Sequence, residues 1–274
     1  MDIENKVVVV TGASSGIGAA IAKAMVRSGA NKIALLARSE ERLQNVAAEC
    51  EADGARVFVY PVDLSDSTAA LRAIQSVLEE AGVPDILINN AGSGRWRFLQ
   101  EIPQDEIVEM MALPYFAAAW MAQGFLPGML TRGSGHILNI SSVASRMAWP
   151  GATAYIAASR AMRGLSDALR ADLHRTKINV THYESGPIQT PYWINNPDSR
   201  ERVPGIARLL IPALSEDQVA HAVVTGIRRN KRFIVIPGML KVVYLLYSAF
   251  PWLVQWLMTR TGHQSSVTAK TLTD

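Results

Sequence analysis

Residues 11–18 read Thr11-Gly12-Ala13-Ser14-Ser15-Gly16-Ile17-Gly18. Glycines at this spacing suit the binding of a pyrophosphate: they allow a tight turn, a close approach of backbone to phosphate, and close packing of helix on strand. The apolar run from Val7 to Val10 precedes them, and an amphipathic stretch from Ile17 to Arg27 follows. That order is strand, turn, helix. It would put an anion at a helix N-terminus, where free N–H groups and the helix dipole favour it. Thr11, Gly12, Ser14, Ser15, Gly16, Ile17 and Gly18 are therefore candidate dinucleotide contacts; the competing reading is a glycine turn with no ligand.

Further candidates stand at the ends of later apolar runs. Arg38 follows the second run, in Ala37-Arg38-Ser39. An acidic residue there pairs with a ribose hydroxyl, whereas a basic one accommodates a 2′-phosphate, so Arg38 points to NADP(H) in preference to NAD(H). Asp63 and Leu64 follow the third run, where Asp63 could meet the adenine or simply be a loop aspartate. Asn89-Asn90-Ala91-Gly92 ends the fourth. Small residues at a strand's carboxyl end let a ring come close, so Asn90, Ala91 and Gly92 join the candidates, with a plain turn as the alternative.

The elements that must position these residues are legible as alternation. Apolar runs at 7–10, 32–37, 57–61, 86–89, 135–140, 178–183 and 233–236 alternate with stretches of helical period. This predicts an α/β fold, a doubly wound parallel sheet with a helical layer on each face. Gly29, Gly54, Gly82 and Gly133 fall where helices should stop, and Ser215 to Gln218 reads as a capping box. Four prolines between Thr190 and Pro212 break all periodicity, which predicts an irregular lid or binding loop. Residues 1–238 read as a single domain, and 239–274 as an apolar helical extension.

Composition narrows the function classes. The chain has 274 residues, 49% apolar and 19% charged, as a well-cored globular protein should. A net charge of +3 gives no argument for nucleic acid. Cys50 stands alone, which excludes an internal disulfide framework and fits a reducing, cytoplasmic setting. The first residues have no apolar core of a secretory signal. His136, His174, His182, His221 and His263 show no metal-ligand spacing, so no metal is expected. Met110, Met111, Met121 and Met129 read as core or dimer-face residues.

Ser141-Ser142 ends the fifth run, and Tyr155 follows thirteen residues later at the head of a helix. Together with the glycine motif, Asp63, Asn89-Asn90-Ala91-Gly92 and Gly186-Pro187-Ile188-Gln189-Thr190, they make the chain similar to the short-chain dehydrogenase/reductases. The resemblance covers about residues 5–195, in the family's order. It implies a Rossmann fold, a homo-dimer or tetramer, and hydride exchange between NAD(P)H and a carbonyl/alcohol pair. By that resemblance Tyr155 is the general acid/base, Ser142 hydrogen-bonds the substrate oxygen, and Ile188 and Thr190 hold the nicotinamide carboxamide.

Three positions depart from the family. Its tyrosine is followed one helical turn later by a lysine that favours the phenolate and holds the nicotinamide ribose; here that position is Ser159. Arg160 comes next, about 100° further round a helix, and is the candidate substitute cation. Arg163 lies two turns on. Pro114 stands where the family has a water-binding asparagine; proline frees a carbonyl one turn back, so a kink can survive. Ser185 replaces the proline before Gly186. An NADP-dependent oxidoreductase is the leading expectation. A catalytically weakened NADP-binding sensor or scaffold is its rival, and a lyase-like member ranks last because that branch lacks the glycine motif kept here.

From Met239 to Met258 the chain is almost wholly apolar. Lys241, Ser248 and Gln255 recur every seven residues, and Pro251 divides the stretch. The pattern suits an amphipathic segment better than a membrane span. It would pack over the pocket or at a subunit interface, with peripheral membrane contact through 239–258 as the alternative. Either way, an apolar wall predicts a small lipophilic substrate.

Overall fold

A computed structural model describes residues 1–92 and 94–264; the last ten residues of the expected C-terminal extension lie outside the described residues. Seven parallel strands form one sheet: β1 (Val7–Thr11), β2 (Lys32–Ala37), β3 (Arg56–Pro61), β4 (Ile86–Asn89), β5 (Gly135–Ile140), β6 (Ile178–Ser185) and β7 (Phe233–Ile236). Their order across the sheet is β3-β2-β1-β4-β5-β6-β7. The chain winds outward from β1 in one direction and from β4 in the other, so a crevice opens at their carboxyl ends. Covered on both faces, the inner strands are continuous apolar runs, as in the Val-Val-Val-Val-Thr of β1.

Helices α1 (Gly16–Arg27), α2 (Glu40–Ala52) and α10 (Glu216–Arg228) fill one face, and α3 (Ser67–Glu80) and α5 (Ala117–Arg132) the other. Each face has its own apolar core, centred on Ile21, Met25 and Leu35 in the first and on Phe125, Met121 and Leu87 in the second. The stop glycines Gly29, Gly54, Gly82 and Gly133 all take positive φ beyond helix ends. Ser215 and Gln218 form the reciprocal capping box of α10, at 3.2 and 2.9 Å. Met110, Met121 and Met129 are buried, as is Cys50, whose thiol burial pushes up to about 11.

Two regions differ from the expectation. Residues 190–212 are not irregular: they form three short helices, α7 (Tyr192–Asn195), α8 (Pro197–Glu201) and α9 (Gly205–Leu210). Each is too short to show a period, and prolines begin them at Pro191, Pro197 and Pro204 rather than forbid them. The helix before β5 is continuous from α4 (Gln104–Met111) into α5 through a π-type turn at Ala112–Phe116. Pro114 lies inside that turn. With no N–H to give, it dislocates the helical ladder there, and the expected kink takes this form.

Beyond the carboxyl ends of β4 to β6 a third apolar cluster gathers Trp96, Met147, Trp149, Val203, Ile211, Leu240, Tyr244 and Met258. It joins α6 (Thr153–Asp172), α9 and the C-terminal pair α11 (Met239–Ala249) and α12 (Pro251–Thr261). Pro251 splits that pair, as the sequence implied. The polar stripe did not keep to solvent, however: Gln255 turns inward and donates to the Ala148 carbonyl at 3.2 Å.

A Cβ on Gly18 would lie 2.1 Å from the Gly12 carbonyl oxygen, whereas one on the exposed Gly164 of α6 would meet nothing within 4 Å. Gly18→Ala should therefore lower unfolding free energy by about 1–3 kcal/mol through overpacking against backbone. Gly164→Ala should raise it by roughly 0.5–1 kcal/mol through helix propensity. Urea unfolding of the two variants against the wild type checks both signs.

Candidate active site

The glycine turn and the end of β4 are locked together. Thr11 Oγ1 accepts from the backbone N–H groups of Asn90 and Ala91, each at 2.9 Å. Asn90 Nδ2 donates back to the carbonyls of Thr11 and Gly12, at 3.0 and 3.2 Å. Gly12 has φ +65° and sits so near Ala91 that a Cβ would come within 2.9 Å of its Cα. Ser15 caps α1 in an extended conformation without a side-chain capping bond, and no acid stands in the first helical turn. At the adjoining strand ends Arg38 and Asp63 are both exposed. Partial burial would raise the Asp63 carboxyl, but hydrogen bonds from Ser65 and the Arg38 charge outweigh it and hold the group low. Leu64 beside it is buried. A helix N-terminus free of side-chain caps, glycines at 12 and 18 that let the turn pack tightly on its neighbours, and an arginine at the next strand end fit a nicotinamide dinucleotide phosphate.

Ile17, Asn90, Ala91, Gly92, Ile188 and Thr190 line one end of a cavity of about 330 Å³ whose wall includes Ser142, Tyr155 and Ser159. Ser142 follows β5, and its Oγ accepts from the Ala144 N–H at 3.2 Å, which fixes the side chain at the start of a short turn. Tyr155 rises from the first turn of α6, and Ser159 lies one turn on, buried. Burial raises the Tyr155 phenol above its usual value, and hydrogen bonding toward Ser142 and Ser159 only partly opposes it. Among the described residues lining the cavity, none is an Asp, Glu, Lys or Arg.

The structure does not bring Arg160 to the phenol. Its side chain is exposed and reaches the Arg146 carbonyl at 3.4 Å, since its place on α6 faces away from the cavity. Arg163 is engaged elsewhere, donating to Glu184 at 2.6 Å. Position 159 thus has no substitute cation among the described residues lining the cavity. Pro114 does line it, from the π-type turn.

Other residues of the site are invisible as motifs. Trp96 stacks near Tyr155, with ring centroids 5.4 Å apart, and Trp149 and Trp193 stand 5.0 and 5.8 Å from Trp96. Gly94 passes so close over the phenol ring that a Cβ would lie 2.6 Å from Tyr155 Cδ2. Tyr192, on α7, donates to the Gly94 carbonyl at 2.5 Å, and Trp193 Nε1 to the Ile188 carbonyl at 2.7 Å. The proline-rich segment therefore fastens the loop that covers Tyr155. No spacing rule links tryptophans that come from two separate loops and a four-residue helix.

Behind the site lies Glu184, fully buried near the end of β6. Arg146 reaches it through Nε at 2.8 Å, Arg163 through Nη1 at 2.6 Å, and Ser145 through Oγ at 3.1 Å. Here a signal did exist: one acid inside a strand otherwise buried. His182, two residues earlier, is buried, with Nδ1 against Ser166 Oγ at 3.0 Å. Burial and the nearby arginine charges press its pKa down to about 3, so it is a neutral structural imidazole.

Sheet order and helix-covered faces are those of a Rossmann fold, with a glycine-rich strand-turn-helix leading to the tyrosine that lines the cavity. The family model for short chain dehydrogenases matches residues 6–201, and the chain belongs to that family. An uncharacterized oxidoreductase of Mycobacterium tuberculosis is 40% identical over 195 residues, 69% of this chain and 57% of that protein, so the match spans little more than half the relative's length. A fatty acyl-CoA reductase of Acinetobacter baylyi is 32% identical over 84% of this chain and 76% of its own. Among solved structures, a short-chain dehydrogenase from Sphingobium yanoikuyae in complex with NADPH superposes with a TM-score of 0.77 at 27% identity, covering 96% and 99% of the two chains.

Glu184→Gln should cost about 3 kcal/mol of unfolding free energy, since it strands two partly buried guanidinium groups. A loss below about 1 kcal/mol in urea would show that the cluster does not hold the fold. His136 is likewise buried and pressed to about 3. Because both imidazoles bind protons more readily unfolded than folded, stability should be complete above pH 6.5 and fall as pH drops toward 3. The loss is roughly 3 kcal/mol per histidine by pH 4, read from urea midpoints across pH.

Proposed function

We propose that the chain is an NADP(H)-dependent oxidoreductase that reduces a carbonyl on a small, neutral, lipophilic molecule to a secondary alcohol. The observation that carries this reading is the placement of Tyr155 and Ser142 in an uncharged, apolar cavity continuous with the dinucleotide groove. When bound, the cofactor supplies the hydride; Thr11 to Gly18 would hold its pyrophosphate, Arg38 its 2′-phosphate, and Ile188 and Thr190 its carboxamide end. Asp63, Leu64 and Asn90 to Gly92 would border the adenine and nicotinamide. Ser142 orients the carbonyl oxygen. Tyr155 gives that oxygen its phenolic proton as negative charge develops there, and the phenolate left behind recovers a proton from solvent.

The missing cation biases the direction. A phenol raised by burial stays protonated through neutral pH, so it is ready as an acid and poor as a base. A second reading, a catalytically weakened NADP-binding protein, draws support from the same absence at Ser159. Exposed apolar residues on α4, the π-type turn and α5, namely Val108, Phe116 and Leu130, support a homo-oligomer. The apolar C-terminal pair supports peripheral membrane contact through 239–258, and the lone Cys50 supports a reducing, cytoplasmic setting.

NADPH should bind at least about tenfold more tightly than NADH, and Arg38→Asp should erase or reverse the difference, read by nicotinamide fluorescence. Equal wild-type affinities refute the preference.

Tyr155→Phe should lower carbonyl reduction by about 10²-fold or more while NADPH affinity is unchanged. Wild-type alcohol oxidation should climb with pH without levelling below about pH 10, because the base is an unassisted phenolate. Ser159→Lys should move that climb to lower pH. An oxidation rate that levels near neutrality in the wild type would refute the role given to the empty position. If the wild type binds NADPH but turns over nothing until Ser159→Lys is made, the weakened-protein reading is the correct one.

A further inference from the structure

The C-terminal helix pair has two apolar sides. Its inner side closes the cavity: Val243, Leu246, Val254, Leu257 and Met258 all line it. Its outer side carries Val242, Leu245, Phe250, Trp252 and Trp256 at 58, 71, 50, 70 and 55% exposure, and Leu209 of α9 continues it at 80%. Such a density of bare apolar surface marks an interaction site. Leu210 and Leu246 belong to both sides. They line the cavity and are 45 and 48% exposed, so they form its rim in the middle of the outer patch.

Four features identify what covers the patch. Residues 237–264 contain Lys241 and Arg260 but no Asp or Glu, and Arg208 adds a third positive charge beside Leu209. Basic residues flanking exposed tryptophans suit the headgroup region of an anionic bilayer. Among the described residues no helix is long and apolar enough to cross a membrane, and α11 and α12 are bent 116° from one another. Neither eleven-residue helix can span a bilayer by itself, and the inner side of the pair is already committed to the cavity, which suits an interfacial position. Finally, a second copy seated here would cover the rim formed by Leu210 and Leu246, whereas a bilayer would leave it open to anything dissolved in the lipid.

We infer that the α11–α12 pair docks on an anionic lipid surface with the cavity rim facing it, so that the substrate enters from the bilayer and not from water. The entry route rests on the lipophilic carbonyl substrate proposed above; the docking surface does not. The candidate cofactor residues Gly12 and Arg38 stand at the ends of β1 and β2, several strands from the helix pair beside β7, and Arg38 is exposed.

The test uses the full chain and vesicles of phosphatidylcholine with a minority of phosphatidylglycerol. The wild type should float with the vesicles, and brominated phospholipid should quench its tryptophan fluorescence. Leu245→Glu/Trp252→Glu changes two exposed side chains outside the cavity lining; it should reduce flotation at least tenfold while circular dichroism and NADPH affinity stay at wild-type values. Trp256→Glu serves as an independent variant should the double one fail to fold. For entry, NADPH oxidation is followed with vesicle-held 2-tetradecanone and with water-soluble cyclohexanone. The double variant should lose about tenfold on the first and nothing on the second; equal loss on both overturns the entry route. A wild type that stays at the bottom of the gradient overturns the docking surface, as does one that elutes as an oligomer which the double variant dissolves without any flotation. Failure of the proposed function shows separately, as no oxidation of NADPH with either ketone, while flotation still decides the surface.

Discussion

A carboxylate with no access to solvent needs compensation, and Glu184 receives it from two arginines on different elements. Arg146 comes from the turn that follows Ser142, and Arg163 from the helix that carries Tyr155. Burying the acid alone would cost several kcal/mol, so the fold keeps its stability only when both guanidinium groups are drawn in. That requirement fixes the serine-bearing turn and the tyrosine-bearing helix against β6. Neutral hydrogen bonds extend the same constraint inward. Asn89 Nδ2 donates to Asn139 Oδ1 at 2.8 Å, Asn139 Nδ2 to Ser166 Oγ at 2.9 Å, and Ser166 meets His182. A one-residue slip of β4, β5 or β6 would break this line, so the strand ends that build the site are held in a single register.

The same layout accounts for how a cavity beside so many arginines remains uncharged. Arg146 and Arg163 face Glu184, and Phe233 lies under both, 5.5 and 5.2 Å from their guanidinium carbons. Their charge is spent behind the site. A lysine at position 159 would have to bury its ammonium on the cavity side, with no carboxylate lining that cavity to receive it. Serine fills the position at no such cost. The gain is an apolar chamber; the loss is the electrostatic help that would favour a phenolate. For a proton donor that loss is small, because the phenol is already in the form the proposed reduction uses.

What was legible in the sequence was local or periodic. The strands came out nearly residue for residue, because a strand buried on both faces is an unbroken apolar run. The Thr11–Gly18 turn and the Asn89–Gly92 strand end were legible because their chemistry is backbone chemistry at fixed spacing. Helices α7 to α9 were not, because four to six residues cannot display a period and their prolines read as breakers. The tryptophans around Tyr155 were not, because they meet only after two loops and α7 fold over the carboxyl ends of the sheet. Arg160 shows the limit of helical-wheel reasoning: one position round α6 turns a candidate cation out to solvent. Gln255 shows the converse, a polar residue on a repeating stripe that folds inward to reach a backbone carbonyl.

The cavity's floor and roof share one side chain. Arg146 pairs with Glu184 beneath the turn that follows Ser142 and lies over the ring of Tyr244, 4.6 Å from its centroid, on the inner side of α11. Tyr244 is itself buried, and burial with the adjacent Glu184 charge keeps that phenol protonated. The C-terminal pair is thus not a loose appendage to a finished domain. Besides the apolar cluster, it touches the guanidinium that also positions the turn after Ser142. A displacement of α11 large enough to uncover the chamber would strip a cation–π contact from Arg146 and admit water beside a buried ion pair. Access to the cavity is therefore cheapest at the rim formed by Leu210 and Leu246, where only apolar side chains have to part and no charge is exposed.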